Sequence, residues 1–216
     1  AANGQIPDTT RDKLIRKLAD LHGTGRVLFR NTRKTISGFP KRQAKLYSIQ
    51  PGSSEEESAL GQAEFDYDIG LTEEGFEPDY TQDPRIEWLA KLLREQEHDK
   101  FLLICRTRQK TAAIEESLRS HINIKSAVFH EELSLVQRDR NAAWFADEEG
   151  ARLLLCSEIG SEGRNFQFCR HLVLFDLPLN PELIEQRIGR LDRIGQKNDI
   201  LIHIPTIEHS HRERLA

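Results

Sequence analysis

From Pro84 onward the chain alternates short, unbroken apolar runs with stretches of helical periodicity. This alternation restricts the possible folds more than any other feature. The runs are Phe101–Cys105 (FLLIC), Ala127–Phe129 (AVF), Arg152–Cys156 (RLLLC), His171–Phe175 (HLVLF) and Ile200–Ile204 (ILIHI). A strand with one wet face would alternate polar and apolar residues. A strand without a polar face must be covered on both sides, as in a parallel sheet sandwiched by helices. The helical partners lie between the runs. Ile86, Leu89, Leu92 and Leu93 mark a helix over Ile86–Glu95, and further helices are predicted over Lys110–Ser120, Leu135–Ala146 and Pro181–Leu191. With right-handed crossovers this order predicts one doubly wound α/β lobe. Ligands in such sheets bind beyond the carboxyl ends of the strands. Here those positions are Arg106-Thr107-Arg108, His130-Glu131, Ser157-Glu158 and Asp176.

Upstream of Pro84 the signals are weaker. A helix is predicted over Thr10–His22, with Leu14, Leu18 and Leu21 on one face and Gly23 and Gly25 ending it. Arg26–Arg30 reads as a strand, and Lys45–Ile49 as a second after the turn signal Gly38-Phe39-Pro40. Charge is strongly segregated. Arg26, Arg30, Arg33, Lys34, Lys41, Arg42 and Lys45 form a basic stretch without an acid, whereas Gly52–Asp99 holds fifteen acids against Arg85, Lys91 and Arg94. The part from Pro51 to Asp83 lacks sustained periodicity and predicts an acidic linker or a poorly ordered insertion.

The chain has no methionine and opens Ala1-Ala2-Asn3, so a segment of a longer protein is expected. It contains neither an apolar run of membrane-spanning length nor a secretory leader, which makes the cytosol the default compartment and gives no reason to expect a membrane partner. Cys105, Cys156 and Cys169 form no CxxC pair, and two of them end apolar runs, where cysteine acts as a small buried hydrophobe. His209 and His211 form an HxH with no third ligand placed to match, so no metal site is expected.

Two stretches carry chemistry. The first is Glu185–Lys197, where Ile188 and Leu191 continue from Ile184 an apolar helical stripe, and Gln186, Arg190 and Arg193 fall at the same spacing on another. Paired guanidinium groups suit a phosphate, since each forks onto two oxygens. A solvated basic face fits the spacing equally well. In Cys156–Phe168, Gly160 and Gly163 follow a strand directly, which permits a tight turn or close approach of backbone N–H groups to an anion. The chain has no GxxxxGK[ST] and no acidic Mg²⁺-holding motif after a strand, so it does not cradle a triphosphate unaided.

Together these stretches resemble the second RecA-like lobe of superfamily-two helicases and translocases of the Swi/Snf type. Gln186–Gln196 (QRIGRLDRIGQ) is similar to that family's QRxGRxxRxGQ motif. Ser157–Asn165 resembles the motif before it, ending Gly163-Arg164-Asn165, and Asp176–Pro181 resembles its D-x-x-x-N-P connector. SEIGSEGRNFQF, FDLPLNPELIEQRIGRLDRIGQ and GTGRVLFRNTR are more specifically similar to the bacterial RNA polymerase-associated ATPases of that branch. The resemblance implies residues 1–50 as the tail of a first lobe with its connector, 51–83 as the acidic linker, 84–207 as the C-terminal lobe and 208–216 as the start of the following segment. It further implies that the phosphate loop and the Mg²⁺ site belong to a first lobe, that ATP and Mg²⁺ are bound mainly there, and that this segment alone is inactive. Arg190 and Arg193 are then the arginines inserted against the transferring phosphate. Gly163, Asn165 and Gln186 lie near the nucleotide, and Arg106, Thr107, Ser157 and Glu158 lie at the nucleic-acid backbone. Implied partners are the first lobe, double-stranded DNA or another nucleic acid, and RNA polymerase, in a bacterial, nucleoid-associated setting. Two alternatives stay open: a binding module without activity of its own, and a strand-separating helicase.

Overall fold

The computed structural model describes residues 40–216, except 53–54, 73–75, 161–162 and 194. The predicted helix over Thr10–His22, the strand over Arg26–Arg30 and most of the basic stretch lie outside the described residues. The described chain runs β1 (Arg42–Ile49), α1 (Glu55–Ile69), α2 (Pro84–Glu95), β2 (Phe101–Cys105), α3 (Arg108–Arg119), β3 (Ser126–Phe129), α4 (Leu135–Ala146), β4 (Leu153–Ser157), β5 (His171–Leu174), α5 (Pro181–Ile188) and β6 (Ile200–Ile207). The six strands form one sheet in the order β1-β6-β5-β2-β4-β3, and every pairing is parallel.

The apolar runs occupy the middle of this sheet. Every residue of β2, β4 and β5 is buried. Alternate side chains enter different cores, as a two-residue period requires. Leu102, Ile104, Leu154, Cys156, Leu172 and Leu174 pack with Phe145 of α4 and Ile188 of α5. Phe101, Leu103, Leu153, Leu155 and Val173 pack with Leu89 and Leu93 of α2 and Ile114 and Leu118 of α3. The sheet is thus covered on both faces, as the doubly wound reading requires. Burying each such side chain contributes about 1.5–3 kcal/mol.

Helix starts follow local chemistry. Asp83 caps α2 ahead of Pro84, Thr107 caps α3, Ser134 and Gln137 form a reciprocal capping box on α4, and Asn180 caps α5 ahead of Pro181. A side-chain oxygen there satisfies a backbone N–H that lacks an intrahelical acceptor, and proline lacks that N–H altogether.

The structure differs from the sequence reading in several places. The strand predicted over Lys45–Ile49 begins at Arg42 and forms the sheet edge beside β6. The stretch read as an acidic linker contains the 15-residue helix α1. Its partners explain why periodicity missed it, because charge rather than an apolar stripe seats it. Glu64, 2% exposed, pairs with Arg85, Lys110 and Arg212, and Asp68 pairs with Lys110 and Arg212. By the same contacts Arg212, in the expected start of a following segment, is buried against this lobe. Finally, α5 stops at Ile188 rather than Leu191. Gly189 caps it and the chain continues in turns, with Arg190 N–H bonded to Arg187 O at 3.2 Å and Arg193 N–H to Leu191 O at 3.0 Å. Gln186, Arg190 and Arg193 therefore do not share one helical face.

Candidate nucleotide and nucleic-acid site

The strand order makes neighbouring strands β2 and β5 feed connections that leave in opposite directions, so their carboxyl ends flank the switch point at which open α/β sheets take ligands. Asp176 sits there, 3% exposed. Its Oδ2 accepts the Arg106 backbone N–H at 2.7 Å and lies 3.2 Å from Lys110 Nζ, and its Oδ1 accepts from Arg187 Nη1 at 2.8 Å. Burial alone would raise this carboxyl, but Lys110, Arg187 and Arg212 outweigh it and hold Asp176 well below the usual carboxylate range.

Arg187 is the largest fully buried side chain described. Besides Asp176 Oδ1, its Nη1 donates to the Asp176 carbonyl at 2.7 Å, and Nε and Nη2 fork onto Glu158 Oε2 at 3.0 and 2.5 Å. Burial opposes its charge, while Asp176 and Glu158 restore it and raise its pKa overall. Periodicity did carry the signal for this residue. Arg187 stands three after Ile184 and four before Leu191, on the apolar stripe itself, where a charge must be paired to be buried.

The remaining expected nucleic-acid residues have diverse settings. Arg106 is partly exposed. Its guanidinium lies 5.5 Å from the Tyr67 ring centroid and donates to the carbonyls of Tyr67 and Asp68. Thr107 caps α3, its hydroxyl accepting Lys110 N–H. Ser157 is 1% exposed; it donates to Glu131 at 2.6 Å and accepts from Gly160 N–H at 3.0 Å. A Cβ on Gly160 would lie 2.5 Å from Phe129 O, so this turn admits only glycine without a shift. Glu158 faces Arg187 rather than open solvent.

The expected nucleotide residues converge despite the early end of α5. Gly163, Gln186, Arg190 and Arg193 line one open hollow of about 530 Å³, with Glu185 and Gly189. Asn165 is exposed nearby but does not line it; its amide meets Gln167 at 3.3 Å. Gly163 has φ +71°, a conformation that suits glycine. The loop and the turn are tied together, since Phe166 N–H donates to Arg190 O at 2.8 Å and Gln196 Nε2 to Cys169 O at 2.9 Å. Arg42 of β1 anchors the other side, with Asp192 at 2.6 Å and Glu185 at 2.8 Å. That pairing engages Glu185, the acid on the hollow's wall, beside Arg190 and Arg193. Guanidinium donors of this kind fit phosphate oxygens. No group of acidic, histidine or cysteine residues suited to a metal ion occurs among the described residues.

Residues 84–195 match the family model of the helicase conserved C-terminal domain. Over 215 residues and 96% of its length, the chain is 48% identical to RNA polymerase-associated protein RapA of Pseudomonas aeruginosa (strain LESB58). It is 49% identical to RapA of Stutzerimonas stutzeri (strain A1501) with all of the chain covered. In both cases it spans only 23% of the relative. Among solved structures it resembles the C-terminal part of the Fun30 ATPase domain, with TM-score 0.57 and 20% identity over 74% of this chain and 53% of that one, a likeness of fold. The family match takes in β2 to β5, the glycine-bearing loop and the arginine-bearing turn, and the chain belongs to the helicase conserved C-terminal domain family.

Proposed function

We propose that this chain is the second lobe of a DNA-stimulated, ATP-hydrolysing translocase that acts on RNA polymerase. The observation that carries the reading is the convergence of Arg190, Arg193, Gln186 and Gly163 on one open hollow. Arginines on an open wall, with the nearest acid engaged by Arg42, are arranged to meet a polyphosphate held by a facing lobe. On this reading Arg193, exposed, contacts the γ-phosphate, and Arg190 supports it from the same wall. Gln186 bridges the cleft, and Gly163, with Asn165 beside it, borders the nucleotide. Charge that accumulates on the equatorial oxygens only in the transition state is stabilised by such groups, which raises kcat rather than affinity. Magnesium would be held with ATP mainly by the first lobe, where it would offset phosphate charge. The acids nearest this hollow are already paired with Arg42 and Arg187.

The second surface is the carboxyl edge that bears Arg106, Thr107, Ser157 and Glu158, along which the lobe tracks duplex DNA through backbone phosphates rather than bases. Arg106 is the most accessible donor of this set. The relatives' name supports RNA polymerase as partner and hence a cytoplasmic, nucleoid-associated setting. No described helix is long and apolar enough to cross a membrane. Of the basic stretch that motivates a binding module without catalytic partnership, Arg42 is engaged with Asp192 and Glu185.

Steady-state ATPase assays test the proposal. The segment alone is expected to hydrolyse ATP negligibly, and the full-length protein to turn over faster with duplex DNA. Arg193→Ala in the full-length protein is expected to lower kcat by roughly 10³-fold or more. A normal rate in that variant would show the arginine assignment to be wrong.

A further inference from the structure

We propose that Arg187 is a positioning residue that couples the nucleic-acid edge of the lobe to its arginine-bearing turn. The inference rests on the functional reading above and assigns a role to a side chain which that reading leaves unused. Arg187 is 1% exposed and lines neither the hollow nor the surface. Dehydrating a guanidinium costs several kcal/mol, and on the apolar side of α5 a leucine would pack without that penalty. What the charge gains is a fixed set of partners from different strands. Its fork holds Glu158 beyond β4, and Nη1 holds both the carboxylate and the carbonyl of Asp176 beyond β5.

Those partners reach the nucleic-acid edge directly. Glu158 belongs to it, and the second oxygen of Asp176 accepts the Arg106 backbone N–H at 2.7 Å. On the other side Arg187 occupies the last turn of α5, and its carbonyl accepts the Arg190 N–H at 3.2 Å. The Arg190 carbonyl in turn receives Phe166 N–H, so the turn and the glycine-bearing loop move with it. Glu158 faces Arg187 but keeps its side chain 19% exposed, the most accessible member of this buried group. A backbone phosphate arriving at Arg106 repels the Glu158 carboxylate. Arg187 shares that carboxylate through its fork, and so it transmits the shift to the segment that carries Arg190 and Arg193. Physically contiguous, charge-paired chains of this kind carry coupling between sites.

The test uses the full-length protein with Arg187→Lys and Arg187→Gln, assayed for ATP hydrolysis with and without linear duplex DNA. Lysine keeps the cation but cannot fork onto Glu158 while holding Asp176. The expected result is a fall of about fivefold or more in the ratio of DNA-stimulated to unstimulated kcat. KM for ATP and the affinity for the duplex should stay within about twofold, as expected of a residue that touches neither ligand. A wild-type ratio in both variants would overturn the proposal, as would an equal fall of both rates, which would make Arg187 scaffold only. If Arg187→Gln fails to fold, Arg187→Lys decides alone. Absence of DNA stimulation in the unmodified protein would instead overturn the functional reading, and so the two failures are distinguishable.

Discussion

At the scale of single residues, function and packing draw on the same side chains in different ways. Arg193 is exposed and contributes little to the fold, so the Arg193→Ala assay reads chemistry rather than stability. Gly160 is the reverse. A Cβ there would stand 2.5 Å from Phe129 O and 2.6 Å from His130 Cα, both backbone atoms that cannot swing aside. Gly160→Ala is therefore expected to destabilise the chain by about 1–3 kcal/mol, measured as a lower midpoint in chemical unfolding. An unchanged midpoint would mean that the β4 turn relaxes freely. The buried cysteines need no functional role. Burial pushes the Cys169 thiol up to about 12 and the Cys156 thiol higher still, so neither is a nucleophile near neutral pH.

At the scale of elements, α1 is the informative case. Glu64 is buried among Arg85, Lys110 and Arg212 and also accepts from the Tyr80 hydroxyl at 2.7 Å. Burial would raise its carboxyl, but these cations outweigh that and hold it well below the usual range. A carboxylate with a depressed folded pKa stabilises at pH above its unfolded value, and that contribution is lost as pH falls through the folded one. Glu64→Gln removes one partner and leaves three cations under-compensated. It is expected to destabilise by about 3–5 kcal/mol, and its unfolding midpoint should vary less than that of the unmodified chain in strongly acidic solution. A loss below about 1 kcal/mol would mean that water reaches this network. Periodicity could not reveal α1, because apolar spacing reports burial of hydrocarbon and this helix buries charge. The helices whose apolar residues repeat at helical spacing were legible, as were their starts, which depend on one capping residue each.

For the whole molecule, the edge strand β1 is tied to the sheet by a buried polar chain that crosses three strands. Tyr47 hydroxyl lies 2.9 Å from His203 Nδ1, His203 Nε2 lies 3.0 Å from His171 Nδ1, and His171 Nε2 lies 3.2 Å from Asp99, which Arg170 also engages. Burial lowers both imidazoles. His203, facing His171 and Lys45, falls to about 3, and His171 is lowered despite Asp99. Both are therefore neutral in the fold, while the unfolded chain takes up protons near pH 6.5. Stability is expected to hold above that pH and to decline as pH falls below it, toward the folded values. Unfolding midpoints measured from pH 7 to pH 5 check this, and His203→Gln should flatten the decline. A slope equally steep in that variant would locate the effect elsewhere.

The sequence alone determined the parallel, doubly covered sheet, because an unbroken apolar strand has no other way to escape water. It also held the motifs, in which Gln186, Arg190, Arg193 and Gly163 stand, on which the family resemblance and the proposed roles rest. Tertiary structure decided how they meet. With α5 ending at Ile188, helical register no longer aligns Gln186 with the arginines; a turn held by Phe166 and by Arg42 does so instead. It also decided which charges are structural. Glu64 and Lys110 look like surface residues in a linear reading and Arg187 stands on an apolar stripe, and only the approach of distant segments supplies the opposite charges that make their burial possible.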